Sequence, residues 1–293
     1  MLKSAHGHFP SRSDSMIDWL SILKLCAENM KNKVRPLLGS AEAGMGHGRG
    51  AGGDITKQID KVAEDALFQT LARTDVSCTV ISEESGTKEF GPHPSQFYVV
   101  TDPVDGTTNA VRGLPFMDIS IAVSKEPFLE AVEIALVADV LRDITYTAES
   151  GKGAFRNGRG VKPSGIAELG EAIIGVDFNN LRARLIVDRL LAVLEKTRHL
   201  RHFGANALEI CYVADGTSDA FIDIRGKLRV TDIAAAQLIL KEAGGIITAP
   251  TGKQLIARLD PTRRVSFIAA ANKSIHEEIL RQIKLSKKRN QER

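Results

Sequence analysis

Hydrophobic positions recur at helical spacing near the start of the chain, at Trp19, Leu20, Ile22, Leu23, Cys26, Met30 and Val34. That period predicts an amphipathic helix with one apolar stripe, ended by Pro36. A second helix is predicted from about Thr56 to Arg73. Between the two lies a glycine-rich segment, 39–53. Glycine loses more backbone freedom on ordering than any other residue, so no regular element is expected there. The segment reads either as a linker or as a mobile flap over a site.

Further along, short apolar runs replace the helical period. Runs at 78–81 and 97–101 read as strands, the second stopped by Asp102-Pro103. Strands are also predicted at 118–124, 129–138 and 143–147, with a hairpin over 151–160 turning on Asn157-Gly158. After Pro163-Ser164-Gly165 strands alternate with helices. Strands are expected at 173–176, 220–224, 246–248 and 265–270. Helices are expected at 182–197, 205–214 and 232–242, and from about 274. Gly244-Gly245 supplies left-handed geometry for a helix end. The expected organisation is a disordered extension (1–15), an α+β domain (16–163), an α/β domain (164–285) and a solvated basic tail (286–293).

Composition narrows the class. With 43% hydrophobic and 26% charged residues in 293, the chain fits neither a disordered nor a membrane-spanning protein. No run reaches the ~18 apolar residues of a membrane span. The net charge of +3 draws partly on Lys284, Lys287, Lys288, Arg289 and Arg293. No aromatic residues interleave that run, which argues against a nucleic-acid partner. Three scattered cysteines, none in a CxxC pair, point to a reducing, cytoplasmic setting and away from disulfides or zinc.

Candidate chemistry collects where elements meet. Glu83 and Glu84 follow one strand, Asp102 and Asp105 another. Asp232 opens a helix, and Asp60 lies early in the second helix. In 102–109, Pro103 forces the preceding residue into an extended conformation and removes a donor. Gly106 permits a tight turn, and free N–H groups at Gly106, Thr107 and Thr108 then face outward at a helix start, a geometry that attracts phosphate. Two carboxylates three residues apart share one cation or flank two, and an all-oxygen set suits Mg²⁺. Taken singly, each cluster is an ordinary feature. Asp-Pro and Asp-Gly are common turn dipeptides, and an Asp before a helix is commonly its N-cap.

The clusters together resemble the inositol monophosphatase superfamily, specifically the archaeal-type enzymes that hydrolyse both inositol monophosphate and fructose 1,6-bisphosphate. The first signature stands as Asp102-Pro103-Val104-Asp105-Gly106-Thr107-Thr108-Asn109. The second is Thr231-Asp232-Ile233-Ala234-Ala235, leading to Glu242-Ala243-Gly244-Gly245. Glu83-Glu84-Ser85 and the pair Thr56 and Asp60 complete the order over about residues 54 to 248. Thr231 stands where many members have Trp, and 223–229 is longer and more basic than in animal inositol phosphatases.

The resemblance implies a layered αβαβα sandwich with the metal site between the halves, Mg²⁺ as cofactor (Mn²⁺ as substitute), and a homodimer. It implies that Glu83, Asp102 and the Val104 carbonyl hold a first metal, and that Asp102, Asp105 and Asp232 hold a second. A third, weaker ion would use Glu83 and water. Thr107, bonded to Asp60, would join Glu83 in activating a water for in-line attack. Asp105 and the amides of Gly106 and Thr107 would meet the phosphate; Gly204, Ala205 and Asp223 would face the alcohol. From the basic run around 198–229, Arg201 or Arg225 is expected to contact a second phosphate. The alternatives are a 3′-nucleotide bisphosphate phosphatase of the same superfamily and a non-catalytic binding scaffold.

Overall fold

The computed structural model describes residues 17–179 and 183–291. The expected extension 1–15 and Arg182, the expected start of one helix, lie outside the described residues. The chain opens with α1 (Trp19–Val34), then a ribbon of β1 (Gly46–Arg49) and β2 (Ile55–Lys57), then α2 (Gln58–Leu71). There follow β3 (Cys78–Ser82), β4 (Gly86–Phe90), β5 (Tyr98–Asp105), α3 (Thr107–Arg112), β6 (Asp118–Ser124), β7 (Val132–Asp139), β8 (Thr145–Glu149), β9 (Gly153–Arg156) and β10 (Arg159–Gly160). The remainder holds β11 (Ile173–Val176), α4 (Ala183–Leu194), β12 (His199–Arg201), α5 (Asn206–Ala214), β13 (Ala220–Arg229), α6 (Ala234–Ala243), β14 (Ile246–Thr248), β15 (Arg264–Ala270) and α7 (Lys273–Gln291).

Five layers result. An eight-stranded sheet runs β10-β9-β8-β7-β6-β5-β3-β4, and a five-stranded sheet runs β12-β11-β13-β15-β14. Helices α1 and α2 cover one face of the large sheet, while α5 and α6 lie between the two sheets and α4 and α7 close the far side. Because the large sheet is covered on both faces, its central strands are buried nearly throughout, even where Thr101, Asp118, Ser120 and Ser124 interrupt the apolar residues. On β6, Ile119, Ile121 and Val123 point toward α1 and α2, and Ala122 points toward α5 and α6. The apolar stripe of α1 is buried as its spacing requires, and Asp18 caps the helix by accepting from the Ser21 amide at 3.1 Å.

Four expectations change. First, the glycine-rich segment is neither a free linker nor irregular throughout: its second half pairs with 55–57 as a ribbon. Second, β5 does not stop at Asp102. It continues to Asp105 through a register shift against β6, and a bulge tolerates the proline that a regular ladder excludes. Third, Asp232 does not open a helix; α6 begins two residues later, at Ala234. Fourth, the basic segment at 286–293 is not a tail from 286 onward. Helix α7 runs to Gln291, and the buried Ser286 hydroxyl accepts from the Ala192 amide at 3.0 Å. Strand boundaries shift slightly as well. Residues 129–131 form one 3₁₀ turn before β7, and β8 begins at Thr145.

Candidate metal centre

Strand β5 delivers Asp102 to the end of the large sheet. The bulge then turns the backbone so that Asp105 also reaches the cleft between the sheets. Gly106 follows at φ +90°, and a side chain there would meet Phe116 O at 3.1 Å and Ala205 Cβ at 3.2 Å. Only glycine lets this turn press against 204–205. Asn109 locks the contact: its Nδ2 donates to Phe116 O and Phe203 O, both at 2.7 Å. The Asp-Pro signature therefore ends in Asn for a structural reason, since that side chain ties α3 to the opposite half.

Three carboxylates converge. One oxygen each from Glu83, Asp102 and Asp232 lie within 4.8 Å of one another. Glu83 comes from the β3–β4 turn and Asp232 from the turn after β13. Asp232 Oδ2 accepts from the Arg229 amide at 3.0 Å, which aims it at the cluster rather than at the amides of α6. Asp105 stands beside them, its Oδ2 accepting from the Ala207 amide at 2.6 Å. Burial, then the neighbouring acids, hold the carboxyls of Glu83, Asp102 and Asp105 well above the usual range. Burial also raises Asp232, with Arg229 opposing it. Packing four acids in a site this dry is costly unless a cation joins them. An all-oxygen donor set with carboxylates on several sides fits a hard divalent ion.

Beside the cluster sits a hydroxyl. Thr107 Oγ1 lies 2.9 Å from Asp60 Oδ1 and 3.0 Å from the Val104 carbonyl oxygen. Asp60, in the first turn of α2, also accepts from the Lys57 amide at 2.9 Å. Its carboxyl is pushed up to about 7, chiefly by burial and secondarily by Glu84.

All these groups line one cavity of about 790 Å³, together with Gly106, Gly204, His202 and Arg225. The remaining expected contacts are placed differently. Ala205 is buried behind the wall rather than lining it, and so is Asp223. Arg201 lies outside the cavity, with Nη1 donating to Leu200 O at 2.8 Å. Arg225 is in the wall, and most of its donors are taken. Nη2 lies 2.6 Å from Asp177 and 2.5 Å from Asp223, Nε donates to Asp223, and Nη1 to Asn179 O at 3.3 Å. Of the two arginines expected to meet a second phosphate, only Arg225 therefore stands at the cavity, and it is already paired with Asp177 and Asp223.

Four groups at the site escaped the sequence reading. Asp177 pairs with Arg225. Asp118 lies fully buried opposite Asp105 on β6, with Oδ1 unpartnered and Oδ2 accepting from the Leu208 amide at 3.2 Å. Glu209 accepts from the amides of Phe203 and Gly204 at 3.1 and 3.0 Å, fixing the turn at 203–204, and burial raises it to about 7. Arg229, grouped by its sequence with the basic run around 198–229, points into the acidic cluster, with Nη1 2.8 Å from Glu83 Oε1. No local pattern marked it: β13 is buried from Ala220 to Ile224, opens at 225–227 and is buried again at Leu228 and Arg229.

Comparison with known proteins agrees with this geometry. A model of the inositol monophosphatase family matches residues 21–288. The chain belongs to that family. It is 37% identical to the fructose-1,6-bisphosphatase/inositol-1-monophosphatase of Methanothermobacter thermautotrophicus, over 91% of this chain and 97% of that protein. The protein of the same description from Thermococcus kodakarensis is 35% identical, over 91% and 98%. A crystal structure of an inositol monophosphatase-fructose 1,6 bisphosphatase superposes with a TM-score of 0.80 at 31% identity, covering 91% of this chain and all of that one. The layered sandwich agrees with the fold of this family, and the family is metal-dependent.

Proposed function

We propose that this protein hydrolyses phosphate monoesters of a small polyol or sugar, inositol monophosphate and fructose 1,6-bisphosphate, with Mg²⁺ as cofactor. The convergence of Glu83, Asp102 and Asp232 in a polar cavity of about 790 Å³ carries the reading. The relatives named above act on these substrates by description, which supports the same choice.

Glu83, Asp102 and the Val104 carbonyl would hold one ion; Asp102, Asp105 and Asp232 a second. Glu83 with water is left for a weaker third. Bound there, divalent cations lower the pKa of a water and draw charge from phosphate oxygens. The chain's own groups do the rest. Thr107 Oγ1 has one hydrogen. When Asp60 is ionised, that hydrogen is donated to Asp60 Oδ1, and the hydroxyl's lone pairs are left to accept from the attacking water. Asp60, raised to about 7, is the end acceptor: as the water's proton passes to Thr107 Oγ1, the hydroxyl's own proton passes to Asp60. Glu83 orients the same water from the other side. The amides of Gly106 and Thr107 meet the phosphate oxygens where charge accumulates. Gly204, with Ala205 and Asp223 behind it, shapes the alcohol side. The three cysteines are free and buried, which supports a reducing, cytoplasmic setting. The chain is proposed to act as a homodimer, without nucleic acid or membrane.

Purified protein with Mg²⁺ is expected to release inorganic phosphate from inositol 1-phosphate and fructose 1,6-bisphosphate, and to stop on chelation. NADP and a 3′-phosphorylated nucleotide bisphosphate complete the panel. Release from the nucleotides alone would move the assignment to the nucleotide branch. No release from any substrate, with metal still bound, would favour a binding scaffold.

A further inference from the structure

Arg229 ends β13, three residues before Asp232, and its side chain is only 9% exposed. Its guanidinium touches four groups. Nη1 lies 2.8 Å from Glu83 Oε1 and 3.9 Å from Asp232 Oδ2. Nη2 pairs with Asp54, and Nε donates to Gly52 O at 3.2 Å. Asp54 and Gly52 belong to the turn of the glycine-rich ribbon.

That turn is strapped to the same place by its backbone. The amides of Ala51 and Gly52 donate to Glu84 O at 2.9 Å and Glu83 O at 2.7 Å. Arg264 Nη2 donates to Gly52 O from the other side. No side chain fits at Gly52, because a Cβ would lie 3.0 Å from both Arg229 Cδ and Glu83 Cγ. One guanidinium thus joins the strap to a carboxylate of the metal cluster.

Its charge acts on that cluster too. A fixed cation 2.8 Å from Glu83 competes with any second cation for the same oxygens, and the low dielectric strengthens that competition. We propose that Arg229 is a positioning residue that latches the strap at 50–54 onto Glu83, and that it weakens the centre's hold on its divalent ion while orienting Glu83 for turnover. The inference rests on the metal-dependent reading above.

A residue that merely packs would lower metal affinity and turnover together when replaced. The latch gives opposite signs. Isothermal titration of Mn²⁺ into chelator-stripped protein separates the two. Arg229→Met removes the charge and keeps the bulk, and it is expected to bind Mn²⁺ about tenfold more tightly than wild type while kcat falls. Arg229→Lys keeps the charge but cannot bridge three partners at once. Its Mn²⁺ affinity should stay near wild type and its kcat should fall.

Asp54→Asn changes an exposed residue outside the cluster, so it tests the latch even if Arg229→Met does not fold. With Asp54 neutral, the guanidinium charge goes more fully to Glu83. Mn²⁺ should bind a few-fold more weakly (roughly 0.5–1 kcal/mol), and the Ala51 and Gly52 amides should exchange faster with deuterium. Arg229→Met binding Mn²⁺ no more tightly than wild type would overturn the proposal. So would unchanged amide exchange in Asp54→Asn. Failure of wild type to bind Mn²⁺ at all would instead remove the metal-dependent reading and this inference with it.

Discussion

Asp102→Asn is expected to lower kcat/KM by about a thousandfold or more, a transition-state loss of about 4 kcal/mol. Asp102 is the one carboxylate assigned to both the first and the second proposed ion, and it sits 6% exposed at the centre of the cluster. Asparagine keeps the shape and the acceptor that holds the Val104 amide at 3.2 Å, so the fold survives. What disappears is one negative charge where the cations need it. The same substitution should raise the melting temperature of the metal-free protein. Burial and the charges of Asp105 and Asp232 push the Asp102 carboxyl far up, which means that ionising it in the empty cleft is unfavourable. Activity and metal-free stability should therefore move in opposite directions, a usual sign of a site strained for function. Steady-state kinetics at saturating Mg²⁺ and thermal denaturation in chelator check both halves. Loss of activity with an equal loss of stability would point to a structural role instead.

The second large effect is on pH. Asp60 and Glu209 are each raised to about 7, and the cluster carboxyls are raised as well, all chiefly by burial. A carboxyl with a raised folded pKa binds more protons folded than unfolded. Its contribution is fully present below the unfolded value and is lost as pH rises through the folded one. For Asp60, moved from 3.8 to about 7, the loss is on the order of 4 kcal/mol across that window. Metal-free protein should thus melt at progressively lower temperature from about pH 4 to pH 8. With saturating Mg²⁺ the trend should flatten or reverse, because ion binding requires the ionised cluster and itself favours the folded state. A metal-free melting temperature that rises over this range would contradict the burial argument.

Much of the site was legible because its signals are local. The Asp102–Asn109 signature, the Glu83-Glu84 turn and Asp232 each sit at the end of an element that its own hydrophobic pattern marks. The layers follow in part from that pattern too, since 134–138 is apolar on both faces while 118–124 is apolar on one. What escaped depends on partners distant in sequence. The ribbon at 46–57 is built from glycine-rich backbone, whose pairing leaves no side-chain period to read. The basic run of β13 reads as a source of phosphate contacts until Asp177 and Asp223 are seen to close on Arg225, and Glu83 and Asp54 on Arg229. The strand end expected at Pro103 was misplaced because a bulge absorbs the proline, a choice made by β6 rather than by the local sequence. Asp118 looks like any polar strand residue until the cross-strand register sets it opposite Asp105.

The most direct test of the metal centre is an anomalous difference map from crystals equilibrated with Mn²⁺. The account predicts a strong peak enclosed by the carboxylates of Glu83, Asp102 and Asp232, with Arg229 still joining Glu83 to the strap at 50–54. The absence of a peak among those carboxylates would contradict it.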